Sequence, residues 1–314
     1  MKQAFFLIVS IIIFFACTNN ELNYVESKPN KGFNYPYYLF IPENIVTNDS
    51  LYIVVETNNS GFVSDNFNKH KKSAKKLINN EENIGVYVSR GLNYPMLVPI
   101  FPRSETDWKI YTHALDKDAV IQKNNELERI DLQLLNMIED AKSTLKGLGV
   151  KPKGKIILTG FSASGTFANR FTAIHPNKVE IMAAGGLNGI LFLPMDSIKN
   201  ERLNYPIGTN DFQKLFRKAF DSIAFQATPQ FLFMGKKDDN DAIQYADAYD
   251  KDERDLIYRV IGKDMQSERW PNCLEVYKNK RINAKIKSYD EIGHGYDENI
   301  RKEILAFIKL HLNK

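Results

Sequence analysis

The sequence predicts an α/β fold in which a mostly parallel central sheet is flanked by helices. Along most of the chain, short apolar runs alternate with segments whose apolar residues recur at helical spacing. A serine among small residues, Gly160 to Gly165, stands between one such run and one such segment. The chain has 314 residues, of which 43% are hydrophobic. This length suits one large domain with insertions.

Strands and helices are expected to alternate in the first half of the chain. The runs at 37–41 and 51–55 are apolar and rich in aromatic or β-branched residues, which favours strands. The run at 96–100 is also strand-like, although Pro99 is unfavourable inside a ladder. Helices are expected at 67–78 and 126–145. In the second of these, Leu127, Ile130, Leu134, Leu135 and Ile138 recur at helical spacing.

The second half continues the alternation and adds two long insertions. Strands are expected at 155–159, 179–184, 231–234 and 282–289, with helices at 167–175, closed by Pro176, and at 299–312. Segments 191–229 and 242–279 do not fit this scheme. We expect them to form a partial cap that shapes a substrate pocket.

Ser162 lies at the predicted turn from strand to helix. Such a turn holds a serine hydroxyl above the sheet in a strained conformation, and bulky residues two positions away would clash. Gly160 stands two residues before Ser162, whereas Ser164 stands two residues after it, followed by Gly165. The motif alone is weak, because glycine–serine turns before helices are common.

The order of residues downstream strengthens the interpretation of Ser162 as a nucleophile. Asp238 follows the run at 231–234, and His294 lies between two glycines before the last helix. With serine, acid and histidine in this order, segment 33–314 resembles the α/β-hydrolase family. The resemblance implies that His294 is the base and that an acid orients it. The family spacing selects Asp238 over Asp239 and Asp241.

The other histidines are weaker candidates for the base. His113 lies in a loop and stays open as a second candidate. His175, at the end of the helix after Ser162, is expected to be a capping or surface residue. His70 and His311, on predicted helices, are expected to be solvated.

The resemblance also implies an oxyanion hole. One donor should be the backbone N–H of Ala163, directly after the nucleophile. The second should come from the loop after strand 51–55. Relatives often have a His-Gly pair there, but this chain has Asn58 and Asn59. A backbone N–H or an amide side chain of either residue is expected to donate, while a plain turn stays the alternative.

The loop after strand 96–100 is dense in residues that could line a pocket. We expect Trp108 and Tyr111 as walls, Arg103 as an anion contact, and His113 nearby. The alternative is that these aromatic residues only pack the loop against the domain. Either way, the loop is expected to leave the same sheet edge as Ser162.

The N-terminus has the features of a secretory signal. Lys2 precedes an apolar stretch that is short for a spanning helix, and Ala16 stands directly before Cys17. This resembles a bacterial lipoprotein processing site. Residues 1–16 are therefore expected to be a signal peptide, Cys17 the lipidated residue, and 17–32 a tether. An uncleaved signal anchor is the alternative, and both place the protein outside the cytoplasm, in the bacterial cell envelope.

Several classes of partner are not expected. The net charge of +4 is small and scattered, so a nucleic acid is not an expected partner. The run from Asp238 to Asp241 lacks the glycine and distal glutamate of a calcium loop, and no dinucleotide fingerprint occurs. No metal or cofactor is expected. The sequence predicts a carboxylesterase acting on small-molecule or lipid-like esters. An amidase, a peptidase or a non-catalytic binding protein stays the alternative.

Overall fold

The computed structural model describes residues 21–47, 49–59, 61–187 and 189–313. The signal segment 1–16 and Cys17 lie outside the described residues. The strands are β1 (Glu21–Val25), β2 (Tyr37–Ile41), β3 (Ser50–Glu56), β4 (Met96–Pro99), β5 (Lys151–Phe161), β6 (Val179–Gly185), β7 (Ser197–Ile198), β8 (Glu201–Arg202), β9 (Gln230–Gly235) and β10 (Ala284–Tyr289). The α-helices are α1 (Phe67–Ile78), α2 (Ile84–Leu92), α3 (Lys117–Val120), α4 (Ile130–Gly147), α5 (Ala163–Ile174), α6 (Phe212–Phe216), α7 (Ser222–Ala227), α8 (Lys251–Val260), α9 (Trp270–Asn279) and α10 (Glu298–Leu312).

One large sheet organises the described part of the chain. Its strand order is β1-β2-β4-β3-β5-β6-β9-β10, and β7 pairs only with β8. The pairs β1–β2 and β2–β4 are antiparallel, whereas all pairs from β4 to β10 are parallel. The carboxyl ends of β3, β5, β9 and β10 therefore meet at one edge. Ligands of open α/β sheets bind at this edge.

Alternating residues of the strands pack on the two faces of the sheet. Leu39, Val55 and Leu232 belong to one buried cluster, shared with α4, α5, α8 and α9. Val54 and Phe231 belong to a second cluster, shared with α1, α2 and α10. Since both faces are covered, the central strands are apolar on both sides and read as continuous apolar runs.

Part of the predicted tether is an edge strand. The prediction placed 17–32 outside the domain, but β1 pairs with β2, with Tyr24 opposite Tyr38. The side chains of Leu22 and Tyr24 are partly buried and pack against the buried cluster beside α1. Polar residues at alternate positions of β1 concealed this strand in the sequence.

Several other elements differ from the prediction. Strand β5 begins at Lys151 and helix α5 at Ala163, each four residues earlier than predicted, and β10 begins at Ala284, two residues later. Strand β4 ends at Pro99, one residue early, where Pro99 lies opposite Tyr37. Helix α4 begins at Ile130 instead of residue 126, because Arg129 adopts a left-handed conformation with φ 50°. Helix α2 was not predicted. The Asn83 side chain caps it by accepting from the Val86 N–H at 3.3 Å.

The two insertions contain the remaining short elements. Segment 191–229 holds β7, β8, α6 and α7, and segment 242–279 holds α8 and α9. Within the described residues, no helix has the length and hydrophobicity needed to cross a membrane.

Candidate active site

Ser162 forms the sharp turn between β5 and α5. Its backbone has φ 59° and ψ −126°, a combination that residues with side chains rarely adopt. The Ser162 N–H donates to the Gly185 carbonyl at 2.9 Å, and the Ser162 carbonyl accepts from the Thr166 N–H at 2.9 Å. Bonds to strand and helix thus hold the turn. The strained, half-buried serine at the end of a parallel strand matches a nucleophile elbow.

Small residues around Ser162 permit this turn. A Cβ at Gly160 would lie 2.3 Å from the Ser164 carbonyl oxygen, and a Cβ at Gly165 would lie 2.6 Å from the Gly185 oxygen. Ser164 fits in place of the usual glycine because its hydroxyl is bonded locally. It accepts from the Phe161 N–H at 2.9 Å and donates to the Phe161 carbonyl at 2.8 Å. The Ser164 hydroxyl therefore stabilises the turn.

Asp238 and His294 are in direct contact. The His294 Nδ1 atom lies 3.1 and 3.0 Å from the two carboxylate oxygens of Asp238. Only 1% of the Asp238 side chain is exposed, compared with 26% of the His294 side chain. Asp239 is exposed, and Asp241 is paired with Arg269 at 2.6 Å. Of the three candidate acids, the structure brings Asp238 to the imidazole.

The loops that carry this acid and this base are joined through their backbones. The Lys237 N–H donates to the Ile292 carbonyl at 2.9 Å. A Cβ at Gly235 would lie 2.1 Å from the same Ile292 oxygen, so the close approach requires glycine. The Gln266 side chain adds bonds to the carbonyls of Gly235 and Asp238, at 2.9 and 2.7 Å. These contacts hold the carboxylate against the ring.

Asn240 contacts the ring nitrogen of His294 that faces away from Asp238. Its Nδ2 atom lies 3.1 Å from His294 Nε2, and an amide nitrogen can only donate. In this arrangement the Nε2 lone pair accepts from Asn240, and Nδ1 carries the proton that faces Asp238. A general base needs this tautomer. Among the described residues, no hydrogen bond joins Ser162 Oγ to the ring, and the contact at Nε2 is made by Asn240.

The imidazole nevertheless lies beside the elbow. Its ring centroid is 4.9 Å from that of Phe161, the residue before Ser162. A Cβ at Gly186 would lie 3.1 Å from the ring Cε1 atom, and the preceding Gly185 carbonyl binds the Ser162 N–H. The ring thus lies against Phe161 and close to Gly186, which follows the residue that binds the Ser162 N–H.

Ser162 lines a cavity of about 390 Å³. The walls come from the start of α5, the loops after β3 and β4, and the turn at 242–249 after β9. Asn240 lies in the same wall, so the amide that touches the imidazole also faces this space. Residues of segment 242–279 line the cavity, whereas no residue of segment 191–229 does.

The candidate oxyanion donors separate into two groups. Ala163 and Asn59 line the cavity with Ser162, and Ala163 N–H is the first of α5, so it has no acceptor within the helix. The Asn59 amide donates to the Phe161 carbonyl at 3.3 Å. The Asn58 side chain is bonded elsewhere. It is buried, donates to the Phe101 carbonyl and accepts from the Phe101 N–H, which leaves it outside the cavity wall.

The loop after β4 contributes two of its four expected pocket residues. Arg103 and Tyr111 line the cavity, with the guanidinium carbon 3.7 Å from the Tyr111 ring centroid. Trp108 is on the surface with 42% exposure and does not line this cavity, which corrects its expected role as a wall.

Three histidines other than His294 are buried, namely His70, His113 and His175. His113 also does not line the cavity. Its Nε2 atom donates to the Phe101 carbonyl at 2.9 Å, and burial lowers its pKa to about 3, so it is uncharged at neutral pH. His70, which was expected to be solvated, is buried and bonded to the Ser64 carbonyl. His175, which was expected to be a capping or surface residue, is the buried C-cap of α5 and is bonded to Asp131.

The sequence analysis missed Arg170, Thr166 and Asn240 as cavity residues. Thr166 and Arg170 follow Ser162 at intervals of four, which places them on the same face of α5 as the nucleophile. That spacing was visible in the sequence. Asn240 could not be assigned, because its contact with the imidazole depends on how the loops after β9 and β10 meet.

No three His, Cys, Asp or Glu residues in the described part of the chain are grouped as a metal site.

No family model matches the sequence, and no curated protein matches it. Solved structures do match. The poly(aspartic acid) hydrolase-1 from Sphingomonas sp. KT-1 is 15% identical over 92% of this chain and 98% of its own, with a TM-score of 0.58.

The acylaminoacyl peptidase from Pyrococcus horikoshii also matches. It is 13% identical over 98% of this chain and 44% of its own, with a TM-score of 0.51. These likenesses, together with the parallel sheet and its flanking helices, show that the chain has an α/β-hydrolase fold.

Proposed function

We propose that this chain is a serine hydrolase that cleaves a carboxylic ester through an acyl-enzyme. Ser162 Oγ attacks the carbonyl carbon while His294 Nε2 takes the hydroxyl proton. Asp238 stabilises the resulting imidazolium. The tetrahedral intermediate then expels the alcohol, which receives the proton from His294, and leaves an acylated serine. Water, deprotonated by the same ring, attacks the acyl carbon and releases the carboxylic acid and Ser162.

The strained backbone of Ser162, on the wall of a cavity and beside a carboxylate–imidazole pair, is the observation that carries this proposal. Strain of this kind persists where the surrounding structure holds it, and it is concentrated at active sites. The N–H groups of Ala163 and Asn59 are the proposed oxyanion donors. One misplaced or missing donor typically costs about 100-fold or more in kcat.

A fluorophosphonate probe tests the nucleophile directly. We expect covalent labelling of the wild-type chain and none of Ser162→Ala. Ser164→Gly is the matched control, because it removes the neighbouring hydroxyl and restores the usual small residue. Labelling of Ser164→Gly with loss in Ser162→Ala supports the proposal. Labelling that survives in a folded Ser162→Ala protein, measured by circular dichroism, would contradict it.

Ester and amide substrates can then be compared. We propose esters of small molecules or lipids, because acyl transfer from an ester needs no strong protonation of an amine leaving group. Nitrophenyl esters of short and long acyl chains should be turned over faster than peptide anilides. The reverse order would assign the same site to an amidase or a peptidase.

A non-catalytic binding protein is the second candidate, and the contact between Asn240 and His294 Nε2 favours it. If that amide keeps the base from Ser162, the cavity can bind a ligand without turnover. A folded wild-type chain that neither reacts with the probe nor hydrolyses any ester would support this candidate.

We also propose that the protein is exported to the bacterial cell envelope and anchored to a membrane through a lipid on Cys17. The sequence before Cys17 supports this proposal. Metabolic labelling with a palmitate analogue in a bacterial host should mark the wild-type chain and not Cys17→Ser, and only the wild type should sediment with membranes. Equal labelling of both chains would contradict it.

A further inference from the structure

Arg170 is a buried cation on the wall of the Ser162 cavity. Only 3% of the residue is exposed, and it lines the cavity. Its guanidinium donates to the Ala114 carbonyl at 3.0 Å and to the Tyr249 hydroxyl at 2.8 Å. Both partners are uncharged groups. Among the described residues, none forms an ion pair with Arg170.

Burial lowers the pKa of Arg170, but the electrostatic effects of Tyr249, Tyr205, Asp116 and Glu253 outweigh burial and raise it overall. Asp116 and Glu253 act on it only over a distance, without a hydrogen bond. Burial raises the pKa of both carboxyl groups, that of Asp116 to about 7. The Arg170 guanidinium therefore stays charged on the cavity wall, although no carboxylate among the described residues is hydrogen-bonded to it. A buried charge without a partner is unfavourable, since burial removes its hydration.

Helix geometry places this cation in line with the nucleophile. Ser162, Thr166 and Arg170 are spaced by four residues and all line the cavity. Eight residues of helix correspond to about 12 Å along the axis, and helical side chains lean toward the N-terminus, where Ser162 lies. The buried Thr166 hydroxyl between them has no hydrogen-bond partner. Three polar side chains on one face of α5 therefore line the cavity between the nucleophile and the guanidinium.

Arg103 contributes a second guanidinium group to the wall of the cavity. Arg103 is 5% exposed, lies over the Tyr111 ring and forms an ion pair with Asp247. Its Nε atom is buried without a partner. Two guanidinium groups and the Asp247 carboxylate, all on the cavity wall, leave one net positive charge. A single carboxylate matches that charge, and a planar guanidinium matches a carboxylate in shape.

We propose that the cavity selects a substrate that carries a carboxylate in addition to its scissile bond, and that Arg170 binds this carboxylate. The proposal rests on the proposed hydrolase function, because it names the substrate class of the same site. Arg103 and the Thr166 hydroxyl assist as donors. Arg170 acts on specificity, since its contact lies away from the reacting atoms and lowers the free energy of the bound anionic substrate.

Kinetics on matched esters test this assignment. Monoethyl esters of succinic, glutaric and adipic acid carry a carboxylate, and their diethyl esters are the neutral counterparts. The wild type should prefer the best monoester over its diester in kcat/KM, corrected per ester group, by about tenfold or more, as for a charge-assisted hydrogen bond. Arg170→Met should abolish the preference, and Arg170→Lys should restore part of it. Equal use of both esters by an active wild type would overturn the proposal.

Controls separate misfolding from lost recognition. Arg129→Lys changes a partly buried arginine that does not line the cavity, and it should keep the full preference. Arg103→Lys gives a second variant if Arg170→Met fails to fold, and it should reduce the preference several-fold. An unchanged preference in folded Arg103→Lys and Arg170→Lys would also contradict the assignment.

Binding to Ser162→Ala distinguishes failure of this inference from failure of the hydrolase proposal. By calorimetry, this variant should bind monoethyl adipate more tightly than diethyl adipate. If no ester is hydrolysed but this difference is present, the carboxylate site stands and the hydrolase proposal fails. If esters are hydrolysed without any difference in binding or rate, the hydrolase proposal stands and the carboxylate site fails. Tighter binding of inorganic phosphate than of the monoester would also contradict it.

Discussion

At the scale of single residues, the site depends on which side chains have partners. Ser164 is held by the Phe161 backbone, and the Asn58 amide by the Phe101 backbone, so neither is available to a substrate. Ser162 has a strained backbone, and within the described part of the chain its side chain makes no hydrogen bond to the cap of α5. The sequence could indicate the types of residue at these positions. It could not indicate which of two adjacent asparagines turns its side chain into the core.

Asn240 is the residue through which the base can be tested. Asn240→Asp would place a carboxylate at His294 Nε2, opposite Asp238, and the ring would be held in its charged form. A charged imidazole cannot accept the serine proton. We expect the acid limb of the pH profile of kcat/KM to move to higher pH, and activity at pH 7 to fall about tenfold or more.

Asn240→Ala is the control for that substitution. It removes the amide from Nε2 without adding a charge, so the acid limb should stay in place, and the fluorophosphonate should react at least as fast as with the wild type. An identical pH profile for the wild type and Asn240→Asp would show that this side chain does not contact the base during turnover.

At the scale of elements, the sequence predicted those whose pattern is local. The strand Tyr37–Ile41 and the helix Phe67–Ile78 have the predicted bounds. Helix α2 contains Gly85 and Gly91, which lower helix propensity, and its formation depends on packing against the sheet. His70 lies in a lysine-rich helix, yet its side chain is buried. The sequence did not predict this burial, because periodicity indicates a buried face only when the residues of that face are apolar.

Short helix α3 carries a prediction about pH and stability. The Asp116 side chain caps it by accepting from the Ala119 N–H at 2.8 Å, and burial raises the Asp116 pKa to about 7. In the unfolded chain this carboxyl ionises near pH 4. Between about pH 4 and 7 the unfolded chain therefore releases its proton first, so this group's contribution to stability is lost as pH rises.

Asp116→Asn should remove this loss. From pH 5 to pH 8, the free energy of unfolding of the wild type should fall relative to that of Asp116→Asn by on the order of 2 kcal/mol. Urea denaturation followed by circular dichroism measures the difference. Asp118→Asn, on the same helix, controls for the removal of a carboxyl. A constant gap between wild type and Asp116→Asn at the two pH values would contradict the prediction.

At the scale of the whole molecule, the sheet edge brings distant segments together. The order of serine, acid and histidine along the chain was enough to predict which elements carry the candidate triad. The cavity was not predictable in the same way. Its charged wall combines Arg103, Arg170 and Asp247 from three segments, and only the folded chain brings these residues to one space.

A larger cleft of about 590 Å³ borders the same elbow and carries a further prediction. Lys69, Lys72 and Lys76 of α1 line it, and it shares Asn59 with the Ser162 cavity. These exposed lysines should attract an anionic substrate at low ionic strength. Replacing all three by glutamine should raise KM for a monoethyl ester about two- to tenfold at low salt and weaken its dependence on salt.

The matched control is the replacement of three exposed lysines elsewhere, Lys146, Lys151 and Lys153, by glutamine, which leaves net charge equal in the two variants. This control should behave like the wild type. If both triple variants raise KM equally, overall charge and not the cleft attracts the substrate. A neutral diester should be insensitive to either set.

The position of β1 has a consequence for where such an enzyme could work. Four peptide units separate Cys17 from Glu21, the first described residue of the sheet, and they can span at most about 14 Å. If Cys17 carries a lipid as proposed, the domain would rest almost against the bilayer. It would then encounter molecules confined to the membrane surface far more often than those diffusing through the surrounding compartment.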